Sequence, residues 1–186
     1  GTNALTLDSG STSGATIGLT SFADATGGLT IRDAGGLVTV SGAVGDGASG
    51  DVTITNSQAG VTFGSTVDAG TLLITDTADS QDVTFSGDVT AVTLTTTANT
   101  YDVIFQEDVA VTNDVTFAAI RNLDIGGATD DIATFTGGLD TATNVTGTVT
   151  IAGTINTTNT QMDLGAVTLA AATTLDTGNA AAGVLN

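Results

Sequence analysis

Short apolar triplets, alternating with Thr or another small polar residue, recur along this chain at a nearly constant interval. One series runs Leu29–Ile31, Val52–Ile54, Leu72–Ile74 and Val92–Leu94, and its last members Ile31, Ile54, Ile74 and Leu94 step by 23, 20 and 20 residues. A second ends on Val40, Phe63, Phe85, Phe105 and Ile125, with steps of 23, 22, 20 and 20, and a third consists of Val44, Val67, Val89 and Val109, with steps of 23, 22 and 20. Alternation with a period of two predicts strands with one face buried. The Gly, Asp, Asn, Ser and Ala between triplets are what turns require.

A period near 20 that carries three short strands predicts one coil of a β-solenoid. The expected fold is all-β, a three-sided parallel β-solenoid (β-helix) with coils of about 20–23 residues. One solenoid domain spans residues 1–186, with clear repeats over 29–125 and looser coils over 1–28 and 126–186. The three series then become core columns. Phe117, Leu139, Ile155 and Leu175 are expected to continue the first, and Val145, Leu164 and Val184 the second. Leu5, Leu7, Ile17, Leu19 and Phe22 supply coils before Ile31. Eight or nine coils at strand spacing make a rod of roughly 40 Å. An antiparallel β-sandwich also has short strands and frequent turns, but it gives no reason for three series to share a period.

Composition supports strands over disorder. β-branched residues dominate and 40% of the 186 residues are hydrophobic and regularly spaced. Charge changes the picture more: 2 Lys+Arg stand against 20 Asp+Glu, a formal charge of −18, and all the acids but Glu107 are Asp. Asp favours turns, so the acidity belongs at the corners of the coils. Two cations cannot neutralise nucleic-acid phosphates or an anionic membrane, so neither is an expected partner. No apolar run reaches the length of a membrane-spanning helix, and no signal peptide is visible, so Gly1 reads as the start of a mature chain or of an excised fragment.

The coils written "DVTITNSQAGVTFGSTV" and "DVTFSGDVTAVTLTT" resemble the β-strand repeats of very large bacterial surface and secreted proteins. Those include autotransporter passenger domains and filamentous-haemagglutinin-like exoproteins. The resemblance covers Leu29 to Leu175. It implies an extracellular or cell-surface, right-handed parallel β-helix with a structural or adhesive role, and it carries over no site residue.

Among candidate sites, calcium comes first, because Asp-rich loops offer hard oxygens. The loops are Gly45–Asp51, Asp76–Asp82 and the pair Asp130 and Asp131, and the best set is Asp76, Asp79 and Asp82. The spacings of an EF-hand and of Gly-rich calcium nonapeptides are missing, and Asp in turns ordinarily bonds nearby backbone instead. No other cofactor is suggested. Without His or Cys the usual general base and thiol nucleophile are gone, so no catalytic residue is assigned and a polysaccharide-active β-helix enzyme is a remote alternative. The units Thr53-Ile54-Thr55 and Thr93-Leu94-Thr95 fit an ice-binding rank less well than ordinary outward strand Thr. Sequons occur at Asn144 and Asn156, and Arg32 is expected to pair with Asp33 or with an Asp of a neighbouring coil.

A solenoid needs polar caps, since open strand edges pair with other chains. Neither terminus reads as a cap. The expected function is therefore a structural extracellular protein, the subunit of a head-to-tail filament whose only partner is itself. Ala4, Leu5, Leu7, Val184 and Leu185 are the candidate self-assembly residues, within the apolar ends Ala4–Leu7 and Ala180–Leu185. The alternative is a stalk or binding segment of a giant surface adhesin.

Overall fold

The computed structural model describes residues 3–23, 26–45, 50–178 and 183–186, and no helix occurs among them. The first coils hold β1 (Leu5–Gly10), β2 (Ile17–Leu19), β3 (Leu29–Ala34), β4 (Val38–Val40), β5 (Val52–Ile54) and β6 (Val61–Phe63). The middle coils hold β7 (Val67–Ile74), β8 (Asp82–Phe85), β9 (Val89–Thr96), β10 (Asp102–Phe105), β11 (Val109–Val111) and β12 (Val115–Thr116). The last coils hold β13 (Leu123–Ile125), β14 (Ile132–Phe135), β15 (Leu139–Asp140), β16 (Val149–Thr157), β17 (Met162–Asp163) and β18 (Val167–Asp176).

Every pairing between these strands is parallel, which excludes the antiparallel sandwich and establishes a β-solenoid of about 8 turns. Each coil visits three faces in turn. The first face carries β1, β3, β5, the second halves of β7 and β9, then β12, β15 and β17. The second carries β2, β4, β6, β8, β10, β13 and the first halves of β16 and β18. The third begins with the bridge Phe22 to Val44 and runs through the first halves of β7 and β9, β11, β14, and the second halves of β16 and β18. Strands that turn a corner without a loop reveal it as a slip in their alternation. In β7 the buried residues are Val67, Ala69, Leu72 and Ile74, so Gly70 and Thr71 face outward in succession.

The Phe column is in register as expected, Val40 on Phe63 on Phe85 on Phe105 on Ile125, and it extends to Leu19 at one end and to Ile151 and Leu169 at the other. Its rings lie face to face, with centroids 5.1 Å apart in both pairs and planes 3° and 12° apart. The Val column also holds, from Phe22 through Val44, Val67, Val89 and Val109. Leu5, Leu7, Ile17 and Leu19 fall in the first coil, as expected.

The first column is corrected. Ile31, Ile54 and Ile74 stack, but the next residue is Thr96, because β7 and β9 pair without a break at an offset of 22 set by Val67 on Val89. Leu94 sits instead on Leu72, and Val92, which the triplet pattern turns inward, lies at the corner with 47% of its surface exposed. Register places Thr96 in the core, where its Oγ1 accepts a 2.8 Å bond from the Ala118 N–H. The later continuations are corrected too. Ile155 and Leu175 do stack, but on the third face above Ala133, while Leu139 lies between Val115 and Met162. Val145 bridges Ile120, and Ile151 and Leu169 take the place expected for Val145, Leu164 and Val184. The cause is uneven corner loops: Leu123 to Val149 spans 26 residues and Val149 to Val167 only 18.

Close stacking restricts what the corners hold. Gly60 has φ +84°, and a Cβ there would meet the Asp82 carbonyl oxygen at 2.5 Å. Tyr101 is fully buried, its hydroxyl donating to the Ile74 carbonyl at 2.9 Å, and burial raises its phenol pKa well above the ordinary value.

Truncating the middle ring removes contacts on both sides, so Phe85→Ala is expected to cost ~3–5 kcal/mol. The outward neighbour Thr84→Ala is expected to cost less than about 0.5 kcal/mol. Denaturant unfolding of the two variants checks the contrast, and equal effects would mean that the Phe column does not hold the core.

Candidate functional site: the terminal rungs

Several Asp residues bond the coils' own backbone. Asp8 accepts from Gly10 N–H, Asp51 from Thr71, Asp108 from Ile132, Asp140 from Ala142 and Asp176 from Gly178, all at 2.7–3.0 Å. The buried Asp131 closes its turn by accepting from Gly127 and Ala128 at 2.6 and 2.7 Å. Asp130 beside it is exposed. Residues 46–49 of the loop Gly45–Asp51 lie outside the described residues.

Asp76, Asp79 and Asp82 do not converge. Asp76 and Asp79 share the turn after β7. Burial raises the Asp76 pKa, the Thr77 N–H opposes that shift, and the nearby Asp79 charge adds to it. Asp79 accepts from the Thr100 hydroxyl. Asp82 opens β8 and lies in register with Asp102, one coil on. Among the described residues no three acidic side chains are grouped so as to hold a metal ion.

Both Arg residues sit where two acids stack. Asp8 pairs in register with Asp33, and Arg32 donates through Nε to Asp8 at 3.0 Å, which is the expected neighbouring-coil partner. Arg121 binds Asp102 through two donors, at 2.8 and 2.5 Å, and Asn122 adds its N–H at 3.0 Å and its Nδ2 at 3.1 Å. The local spacing of Asp76, Asp79 and Asp82 hides this cluster. The period was the available signal, since Arg121 and Asp102 lie 19 residues apart, about one coil.

Other candidates are scattered. Asn144 occupies a half-buried turn and donates to the Thr143 hydroxyl, whereas Asn156 lies within a ladder between Thr134 and Asp176. Thr53 stacks on Leu73 and Thr93 on Thr71, so the two Thr-x-Thr units are out of step. An open groove of about 420 Å³ on the first face contains Asp114, Asp140 and Gln161.

The ends differ from the middle. Interior rungs are closed, with Ile31, Phe63, Phe85 and Ile151 all 0% exposed. In the first coil Leu5, Leu7, Ile17, Leu19 and Phe22 are only half-buried, because β1 pairs with β3 alone and β2 with β4 alone. In the last coil Leu169, directly on Ile151, is 59% exposed, and on the rung beyond it Val184 and Leu185 are 44% and 51% exposed. Ala4 lies at the first end too and is exposed. Residues 180–182 of the expected C-terminal segment lie outside the described residues. The described candidates therefore fall on the two end rungs, and sequence reasoning missed Leu169, which ends the Phe column.

A scan against protein-family models, a search of curated proteins and a search of solved structures found no match to this chain.

Partial burial, then Asp102, raises the Asp82 pKa; Arg121 opposes this and Asp124 adds to it. Between the ordinary carboxylate value and this raised one, the folded chain holds a proton that the unfolded chain has lost. Stability therefore falls as pH rises through that interval, and the penalty is absent below it. Asp82→Asn is expected to raise the melting temperature at neutral pH, with the gain fading on acidification through the carboxylate range. A lower melting temperature at neutral pH would instead mean that the charged Asp82 is stabilising.

Proposed function

We propose that this chain is a structural element of the cell exterior, a rod that extends head-to-tail by stacking the last coil of one copy on the first coil of the next. The observation that carries the reading is the exposure of Leu169 on top of a fully buried Ile151. Apolar residues aligned with the core and left bare at the end of a stack favour another coil above them. Parallel strands with unpaired edges favour the same thing. A heterologous contact of this kind does not close, so it propagates. The formal charge of −18 supports end-to-end over side-by-side association, since like-charged flanks repel.

The placement outside the cell rests on the resemblance to bacterial surface and secreted repeats. The same open rungs fit a second reading, in which the coils are one segment of a longer adhesin stalk and the neighbouring coils belong to the same polypeptide. The backbone bonds made by Asp8, Asp51, Asp108, Asp131, Asp140 and Asp176 support assembly without a metal.

Electron microscopy of the purified chain over a range of concentrations, with and without chelator, tests these readings. The head-to-tail reading predicts unbranched fibres above a threshold concentration, with an axial step near ~40 Å, unchanged by chelator. Fibres that dissolve in chelator would make calcium part of the assembly. Single short rods at every concentration would overturn the filament and leave the stalk.

A further inference from the structure

The three faces do not end level. The first coil places one strand or bridge on each face: β1, β2 and Phe22. The last coil places β17 on the first face and the two halves of β18 on the second and third. Beyond it, among the described residues, the first face alone gains a further rung, residues 184–186, with Leu185 bridging Met162. Met162 N–H donates to the Val184 carbonyl at 2.8 Å, Asn186 N–H to the Met162 carbonyl at 3.0 Å, and Leu164 N–H to the Asn186 carbonyl at 3.3 Å. This short bridged segment covers its rung: Met162 is 0% and Leu164 3% exposed, while Leu169 is bare.

A second copy seated on this end meets a conflict. If its β2 continues the second face directly above β18, its β1 falls at the level that residues 184–186 already hold. If those residues stay, the second and third faces each lack one strand at the joint. Resting on the head-to-tail reading, we infer that the edge of β17 is the docking site for β1 of a second copy, and that segment 184–186 is a built-in competitor displaced when the copies join. Displacement loses few bonds, because the competitor is held by one bridge and three backbone hydrogen bonds among the described residues.

The occupant is chosen by complementarity. Placing β1 on β17 sets Leu5 on Met162 and Leu7 on Leu164, all inward-facing. The same docking sets Leu19 on Leu169 and Phe22 on Leu175, covering the apolar residues left bare or half-bare at both ends. It also places Thr6 against Asp163, Gly18 against Thr168 and Ala23 against Asp176, so no acid of these strands meets an acid despite the charge of the whole. Three faces continue at once, each in the parallel sense it already has.

A reversible staple tests the competition. The chain has no Cys, and in-register neighbours about 4.8 Å apart lie within disulfide reach. The double variant Met162→Cys, Leu185→Cys, oxidised, locks the competitor in place. Oxidised protein is expected to need at least about tenfold higher concentration to form fibres, a 1.4 kcal/mol difference, and reductant is expected to restore assembly. Melting curves of both forms establish that each is folded. As a second variant, the chain lacking residues 183–186 is expected to assemble at lower concentration than the full chain. Fibres of the full chain are expected to step by ~38 Å, eight rungs, where a retained competitor would give ~43 Å. Equal assembly of oxidised and reduced forms, or the longer step, would overturn the displacement while leaving the filament standing. No fibres from the full chain or the reduced variant would overturn the filament itself, and the displacement with it.

Discussion

Each coil of this protein obtains its backbone hydrogen bonds from the coil before and the coil after it. In-register parallel pairing dictates the rest. It sets each inward residue on its equivalent one coil away, which turns a repeated Phe into the stack of Phe63, Phe85 and Phe105. It sets outward residues on one another too, which is why Asp82 meets Asp102 and why Arg121 stands beside them. Among the described residues it leaves β1, β2 and β18 with a neighbour on one side only. The interior is therefore closed and the ends are open for a single reason.

The period made the fold legible, and the columns that kept an apolar residue at a steady interval stack as expected as far as Ile125 and Val109. The Val and Phe columns repeat an apolar residue at every coil, so apolar identity and register agree. Register is set by whole strands, and Thr96 shows what happens when the two disagree. Continuous pairing of β7 with β9 carries a Thr into the core, where the Ala118 N–H satisfies its hydroxyl. A Thr among outward Thr residues gives no signal of that. Beyond Ile125, loops such as Gly126–Asp131 change the length of single coils, and equal spacing in sequence ceases to mean equal height in the stack.

The candidate site was legible in part. Apolar residues near both ends could be seen in the sequence, and Leu5, Leu7, Val184 and Leu185 do lie on end rungs. Leu169 was hidden because it sits mid-strand in an ordinary apolar triplet, and only its place at the top of a ladder makes it bare. The Asp residues misled because proximity in sequence suggested a cluster. In the coils a corner residue's neighbours are about twenty positions away, as Arg121 and Asp102 are, while of the Asp residues close in sequence Asp79 binds the Thr100 hydroxyl and Asp131 the backbone of its own turn.

Charge and shape both bear on the proposed head-to-tail association. The flanks are acidic with both cations already paired, and the ends are apolar with their strand edges aligned along one axis. The central claim is that assembly continues the strand ladder itself. X-ray fibre diffraction from aligned assemblies measures that directly. The account predicts a strand-spacing reflection near ~4.8 Å on the meridian, along the fibre axis. The same reflection on the equator, or arcs with no preferred direction, would mean that rods join by their flanks and would contradict the account.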